Sequence, residues 1–299
     1  MTNETMVRAN GIDLCYGTFG DPSGEPLLLV MGLGAQLTAW PVELCESLVD
    51  RGFFVVRYDN RDVGLSTKFD TFAGEFLPTF LAAREGTPVE VPYLLRDMAA
   101  DAVALLDALQ IDSAHVVGAS MGGMIAQSVA IEYPTRVRSL TSIMSTTGEA
   151  EVGQPTPEAM TALLRPPAES REAAIESSVE ARRIIGSPDA FDEELTRRLA
   201  GEAYDRCFDP GGMARQLLAV VASGSRADGL RSLDVPTLVI HGDADPLVTP
   251  SGGTRTAELI PGAQLLLLEG MGHDLPAAQI APIVDAITSL AARTAVPSV

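Results

Sequence analysis

The sequence predicts an α/β fold in which a mostly parallel, doubly wound sheet carries a helical insertion. Short apolar runs alternate with longer helical patterns, and several of these runs are apolar at nearly every position. Such runs are typical of parallel strands that are buried on both faces, and the alternation is typical of doubly wound sheets. The alternation is interrupted once, between about residues 146 and 231.

Seven strands are predicted from apolar and β-branched runs: Asp13–Phe19, Leu27–Met31, Phe53–Asp59, Ala114–Gly118, Val137–Met144, Thr237–His241 and Gln264–Leu268. Leu94–Leu109 predicts an amphipathic helix, with Asp101 among the residues outside its apolar face. Phe69–Pro92 predicts a long connecting loop, a kind of segment that is often functional.

The interruption of the pattern predicts how the chain is divided. Prolines follow the fifth predicted strand, and charged helical patterns without strand signals come after them. We therefore expect a core of residues 1–145 and 232–299 and a helical cap of residues 146–231, inserted between two core strands.

Composition limits the classes of partner. The chain has 299 residues, of which 46% are hydrophobic, so it can bury a large core. Its 40 acidic and 21 basic residues give a net charge of −19. That charge repels phosphate backbones and anionic lipid, so we expect no nucleic-acid partner and no membrane insertion. The oligomeric state stays open.

The cysteines and the N-terminal residues predict a cytoplasmic location. Cys15, Cys45 and Cys207 are far apart and form neither a disulfide framework nor a zinc motif. Free thiols fit a reducing compartment. The first eleven residues lack the basic start and the apolar run of a signal peptide.

The strongest chemical motif is Gly118-Ala119-Ser120-Met121-Gly122, between an apolar strand and a helical pattern. A serine at such a tight turn projects its hydroxyl above the sheet, and the flanking glycines avoid clashes at a strained backbone. A glycine-rich turn without chemistry is the alternative. The strand–turn–helix context favours Ser120 as a nucleophile.

A serine nucleophile needs a histidine base, and the chain has three histidines. His115 opens the strand that leads to Ser120, which places it at the opposite edge of the sheet in a structural role. His241 ends a strand and is expected to be packed there. His273 follows the last strand within Gly270-Met271-Gly272-His273, and we predict it to be the base.

The orienting acid is expected after a strand that lies between the serine and the histidine in the chain. Asp245 is the prediction, because it lies further into the loop and precedes a proline. Asp243 is the alternative, although it is expected to cap its own turn. Asp274 is interpreted as the N-cap of the last helix. The order Ser120, Asp245, His273 is that of the serine α/β-hydrolases.

Backbone donors are expected to bind the oxyanion of a tetrahedral intermediate. One is the N–H of Met121, directly after the nucleophile. The other is predicted in the turn after an early strand, with Leu33 as first choice and Gly34 as alternative. Gly32 and Gly34 are expected to contact substrate. Apolar cap residues that either line a pocket or form cap core are Met160, Leu163, Phe191, Tyr204, Phe208 and Met213.

Together these motifs resemble a known family. Its members are the α/β-hydrolase fold serine hydrolases, and more narrowly the chain is similar to actinobacterial carboxylesterases of the aclacinomycin methylesterase type. The segments that carry the resemblance are Val30-Met31-Gly32, Tyr58–Ser66, the Ser120 turn, Asp245-Pro246 and Gly270–His273. The resemblance implies hydrolysis of small-molecule esters through an acyl-enzyme, without cofactor or metal. It also implies that Arg61–Ser66 is a structural turn near the site.

Other functions remain open at this point. A carbon–carbon bond hydrolase or an enol-lactonase would use the same three residues. A non-catalytic binding module on this scaffold would be expected to have lost one of them. Gly32-Leu33-Gly34, followed by a strand that ends at Asp59, mimics a dinucleotide-binding unit but lacks its third glycine.

Overall fold

The computed structural model describes residues 4–69 and 74–294, and its centre is a mostly parallel sheet. The described strands are β1 (Thr5–Ala9), β2 (Ile12–Phe19), β3 (Glu25–Val30), β4 (Phe53–Tyr58), β5 (Ala114–Ala119), β6 (Val137–Ile143), β7 (Thr237–Gly242) and β8 (Gln264–Leu268). Their order in the sheet is β1-β2-β4-β3-β5-β6-β7-β8. The β1–β2 and β2–β4 pairs are antiparallel, and the other pairs are parallel.

The described helices are α1 (Val42–Asp50), α2 (Phe76–Arg84), α3 (Leu95–Ala108), α4 (Met121–Glu132), α5 (Pro157–Leu163), α6 (Arg171–Ile185), α7 (Glu193–Arg206), α8 (Pro210–Ala222), α9 (Ala227–Arg231), α10 (Ser251–Leu259) and α11 (Ala277–Ala292). Among the described residues, no helix is both long and apolar enough to cross a bilayer.

Alternating side chains of the central strands build two core layers. In β3, Leu28 and Val30 join the layer under α3 and α4, whereas Leu27 and Leu29 join the layer under α1 and α11. All four side chains are fully buried. Burial on both faces explains why strands such as β3 are apolar at nearly every position, and the predicted fold is confirmed.

Two predictions about individual elements are wrong. Phe69–Pro92 is not only a loop, because it contains α2, whose Phe80 packs against α8; residues 70–73 of this segment lie outside the described residues. Asp101 is not on a solvent-facing side of α3, because it is buried and accepts two hydrogen bonds from Arg61 at 2.6 and 2.7 Å. The strand β1 was not predicted, because most of its residues are exposed and polar positions interrupt its apolar pattern.

Helices α5 to α9 run between β6 and β7, where the sequence predicts an insertion. The division into a core and a separate cap of residues 146–231 stays a prediction. The word cap denotes that range below. Two of its helices contact the core near the ends of β3 and β4. Arg206 of α7 bonds to Asp59, and Gln216 of α8 accepts from the Gly34 N–H.

Candidate active site

The turn between β5 and α4 holds Ser120 in a strained backbone conformation, with φ 57° and ψ −121°. A Cβ atom at Gly118 would lie 2.1 Å from the Gly122 oxygen, and one at Gly122 would lie 2.0 Å from the Val30 oxygen. Only glycine fits at either position. Strain of this kind persists only where the surroundings fix it, and here it lifts the serine hydroxyl above the end of the sheet.

The Ser120 hydroxyl lies at one end of a chain of two side-chain hydrogen bonds. His273 Nε2 is 2.9 Å from Ser120 Oγ, and His273 Nδ1 is 2.7 Å from Asp245 Oδ2. With Nδ1 protonated, the imidazole donates to the carboxylate and accepts from the serine hydroxyl. The structure therefore brings together the three residues that the sequence singled out.

The Asp245 side chain is held rigidly beneath the imidazole. Its Oδ1 accepts hydrogen bonds from the N–H groups of Leu247 and Val248, both at 2.9 Å, and its side chain is fully buried. Asp243 lies elsewhere: its Oδ1 accepts from the Gly270 N–H at 2.7 Å, so it ties the histidine loop to β7 rather than capping its own turn.

The other two histidines are buried away from the Ser120 hydroxyl. His115 lies at the start of β5, with Nδ1 2.7 Å from Ser139 Oγ and Nε2 3.0 Å from Glu25 Oε1. His241 donates through Nε2 to the Val248 oxygen at 2.7 Å, which fixes the segment after Asp245. Both therefore have packing roles.

Stability is expected to fall as the pH drops below about 6.5, the ordinary pKa of histidine. Burial lowers the pKa of His115 despite the neighbouring Glu25, and it lowers that of His241. The unfolded chain then binds protons that the folded chain excludes, so acid favours unfolding. Chemical denaturation of the wild type and of His115→Asn between pH 5 and 7.5 measures this. The variant should have a shallower pH dependence of unfolding free energy, and equal slopes would contradict the prediction.

Among the described residues, neither the N–H of Leu33 nor that of Met121 has a hydrogen-bond partner. The Met121 group is at the first position of α4, where the helix dipole favours negative charge. The Gly34 N–H is not available, because it donates to Gln216 Oε1 on α8 at 2.8 Å. Of the two alternatives in this turn, the geometry favours Leu33.

The glycines of this turn allow close approach. A Cβ atom at Gly32 would lie 3.1 Å from Ser120 Cβ. Gly34 has a positive φ of 66°, and a Cβ there would lie 3.0 Å from Met213 of the cap. Met213 is one of the six cap residues singled out as pocket candidates, and Leu163 is another that packs near Leu33.

The turn after β4 joins the cap to the core. Asp59 is fully buried, and its carboxylate accepts from the N–H groups of Leu37 and Leu65 and from Arg206 of α7. Asp62 pairs with Arg215 of α8. Because the Asp59 carboxylate is fully buried beneath these partners, a ribose cannot reach it, which removes the dinucleotide-binding interpretation.

One site prediction is wrong. Asp274 is not an N-cap, since α11 begins at Ala277 after Pro276. Its buried carboxylate instead accepts from Ser187 and pairs with Arg182 at 3.0 Å, and both of these residues belong to the cap. Sequence reasoning also missed Gln216, because no local pattern marks a glutamine whose partners lie more than 150 residues away.

The family follows from comparison with known proteins. A family model described as the alpha/beta hydrolase fold matches residues 25–276. The chain belongs to the α/β-hydrolase family. It is 33% identical to the rhodomycin D methylesterase DnrP of Streptomyces peucetius, over 94% of this chain and 96% of that protein. It is 29% identical to 3-oxoadipate enol-lactonase 2 of Acinetobacter baylyi, over 88% of this chain and 87% of that protein.

A solved structure has the same fold. The meta-cleavage product hydrolase CumD of Pseudomonas fluorescens superimposes with a TM-score of 0.75 and 22% identity, covering 97% of each chain. At that identity the likeness concerns the fold alone. The predicted resemblance to methylesterases is confirmed by the relative from Streptomyces peucetius, and with it the broad class of this α/β-hydrolase, an enzyme acting on esters.

Proposed function

We propose that this hydrolase is a cofactor-independent carboxylesterase that works through an acyl-enzyme on Ser120. The observation that carries the proposal is the continuous hydrogen-bonded chain from Ser120 through His273 to Asp245, at 2.9 and 2.7 Å. A binding module would not need to retain all three side chains in contact. The 33% identity to a methylesterase supports an ester as the substrate.

The mechanism has two acyl-transfer steps. His273 takes the proton from Ser120 Oγ as that oxygen attacks the ester carbonyl, and Asp245 stabilises the resulting imidazolium. The N–H groups of Leu33 and Met121 donate to the oxyanion. The C–O bond to the alcohol breaks, and the alcohol leaves with the proton from His273. Water, deprotonated by the same imidazole, then attacks the acyl-enzyme and releases the acid and Ser120.

The surroundings of Leu33 favour a neutral, apolar acyl group. Leu33 packs in an apolar cluster with Phe80 of α2 and with Leu217 and Leu218 of α8. Four arginines beside the loops of the site each pair with a carboxylate: Arg61 with Asp101, Arg182 with Asp274, Arg206 with Asp59, and Arg215 with Asp62. A substrate carboxylate that entered the apolar surface around Leu33 would lose its hydration, on a protein of net charge −19.

The second candidate is an enol-lactonase. The 29% identity to 3-oxoadipate enol-lactonase 2 favours it, and the same three residues would serve. The name of that relative denotes a dicarboxylic acid derivative, so substrate charge distinguishes the two candidates.

Two methyl esters that differ only in a terminal carboxylate test the proposal. Methyl hexanoate and monomethyl adipate are compared by titrating the acid released at constant pH. We expect a kcat/KM at least about tenfold higher for the neutral ester, because the carboxylate would lose its hydration at the apolar surface around Leu33. A preference for monomethyl adipate would favour the second candidate. Turnover of neither ester would point to a binding module.

Replacing Gln216 is expected to disturb the oxyanion site indirectly. Gln216 is fully buried, and it accepts from the Gly34 N–H while donating to the Arg61 oxygen at 2.7 Å. Gln216→Met keeps a side chain of similar size but loses both hydrogen bonds. The turn that contains Leu33 is then no longer held to α8. We expect kcat to fall about tenfold, less than the ~10²-fold or more that follows loss of a direct oxyanion donor.

Initial-rate kinetics with p-nitrophenyl butyrate measures the effect of Gln216→Met. The matched control is Gln279→Met on α11, where the side chain contacts only the Glu269 oxygen. Equal kcat values for the two variants would show that Gln216 does not act on the oxyanion turn.

A further inference from the structure

The loop that carries His273 is held by the core in its first part and by the cap in its second part. Up to Met271 it is held by the core: the Gly270 N–H donates to Asp243, and the Ala244 N–H donates to the Met271 oxygen at 3.1 Å. At Gly272 and His273 the backbone N–H groups donate to the cap instead. The His273 N–H donates to the Ile185 oxygen at 2.6 Å, at the end of α6.

The contact between the cap and this loop is close as well as hydrogen-bonded. The Gly272 N–H donates to Ser187 Oγ at 2.9 Å. A Cβ atom at Gly272 would lie 2.3 Å from the carbonyl carbon of Gly186, so the two backbones meet with no room for a side chain. The cap segment 185–187 therefore lies directly against the backbone on the N-terminal side of the imidazole.

Asp274, directly after His273 in the chain, bonds to the same cap segment 185–187. Its Oδ1 accepts from the Ser187 N–H at 3.1 Å and from the Ser187 hydroxyl, and its Oδ2 is 3.0 Å from Arg182 Nη2. The Asp274 side chain is 2% exposed. The Ser187 hydroxyl thus donates to Asp274 and accepts from Gly272, which bridges the residues on either side of His273.

We infer that Ser187 and Asp274 are positioning residues for His273, and that the imidazole spans Ser120 and Asp245 only while the segment 185–187 is seated on the loop. The inference rests on the proposed function, in which His273 transfers the proton. Proton transfer demands close placement, and a shift of about 1 Å is enough to cost on the order of 10²-fold in rate. The cap thereby helps to position the His273 imidazole between Ser120 and Asp245.

Kinetics of Ser187→Ala and Asp274→Asn tests the inference, with Ser178→Ala as the matched control. Ser178 lies on α6, the helix that ends two residues before Ser187, is exposed, and among the described residues bonds to the Ala174 oxygen alone. We expect both test variants to lower kcat for p-nitrophenyl butyrate by about 10- to 100-fold, with KM changed by less than about threefold. The labelling of Ser120 by a fluorophosphonate should slow by a similar factor, and the control should behave as wild type.

Amide hydrogen exchange gives a readout that does not depend on turnover. In the wild type the His273 N–H is protected by the Ile185 oxygen. In Ser187→Ala we expect faster exchange in peptides that cover residues 270–275, with unchanged exchange in β5 and α4. Unchanged exchange around His273 would contradict the role given to Ser187.

The outcomes separate this inference from the proposed function. If both test variants keep kcat within about twofold of the control while Ser120→Ala is inactive, the positioning role is overturned and the esterase proposal stands. If Ser120→Ala retains turnover, the proposed function itself fails. Should Ser187→Ala not fold, Arg182→Gln replaces it, because the Arg182 side chain is 41% exposed. A kcat equal to the control in that variant and in Asp274→Asn would also overturn the role.

Discussion

Ser120→Ala is expected to lower kcat for p-nitrophenyl butyrate by about 10⁶-fold, the loss found when the serine of a comparable triad is removed. Without Oγ there is no atom to form the acyl-enzyme, and His273 has no proton to take. KM and the melting temperature should change little, since the backbone strain at φ 57° belongs to both residues alike.

The matched control for Ser120→Ala is Ser128→Ala. Ser128 lies on α4, is buried, and among the described residues bonds through its side chain to the Met124 oxygen alone, at 3.1 Å. This variant should keep wild-type kcat. Ester turnover by Ser120→Ala above a few thousandths of the wild-type rate would remove Ser120 from the mechanism.

Asp245→Asn is expected to lower kcat by about 10⁴-fold at neutral pH, as in a triad whose acid becomes an amide. The Asn amide group would donate to His273 Nδ1, which moves the imidazole proton to Nε2. That nitrogen then has no lone pair to accept the Ser120 proton. Because Asp245 also accepts two backbone N–H groups through Oδ1, the amide oxygen should keep the loop folded.

Asp243→Asn distinguishes the two aspartates of this loop. Asp243 is exposed and bonds to the Gly270 N–H, so its amide should still accept that bond and kcat should fall less than about tenfold. Both variants are compared by kcat and by melting temperature. If Asp243→Asn were the damaging change and Asp245→Asn were near wild type, the orienting role would belong to Asp243.

The part of the fold that the sequence predicts is the part that local patterns encode. Central strands such as β3 and β4 are apolar because helices cover both their faces, so their positions can be recognised from the sequence alone. The turn at Ser120 is also recognisable locally, because Gly118, Ser120 and Gly122 lie within five residues of chain, and a Cβ at Gly118 would clash with Gly122. Ser120, Asp245 and His273 follow β5, β7 and β8, which lie on the same side of the sheet, so their order along the chain follows from the order of these strands.

The errors at Asp274 and Asp101 and the omission of Gln216 concern partners that are distant in sequence. Asp274 is a residue type that often begins a helix, and it lies shortly before α11. Its side chain instead bonds to Ser187, which is 87 residues away. Asp101 looks like a surface residue of α3 until Arg61, 40 residues earlier, is folded against it. Gln216 and Gly34 are 182 residues apart. No periodicity or spacing reports such pairs, so the contribution of the cap to the site could not be derived from the sequence.

The most direct measurement is reaction of the purified protein with a fluorophosphonate, followed by intact mass and peptide mapping. An activated Ser120 attacks the phosphorus, fluoride leaves, and one adduct forms on the peptide that contains Ser120. We expect one adduct per chain, none in Ser120→Ala, and normal labelling in Ser128→Ala. Absence of an adduct in the wild type, or labelling of another residue that persists in Ser120→Ala, would contradict the assignment of Ser120 as the nucleophile.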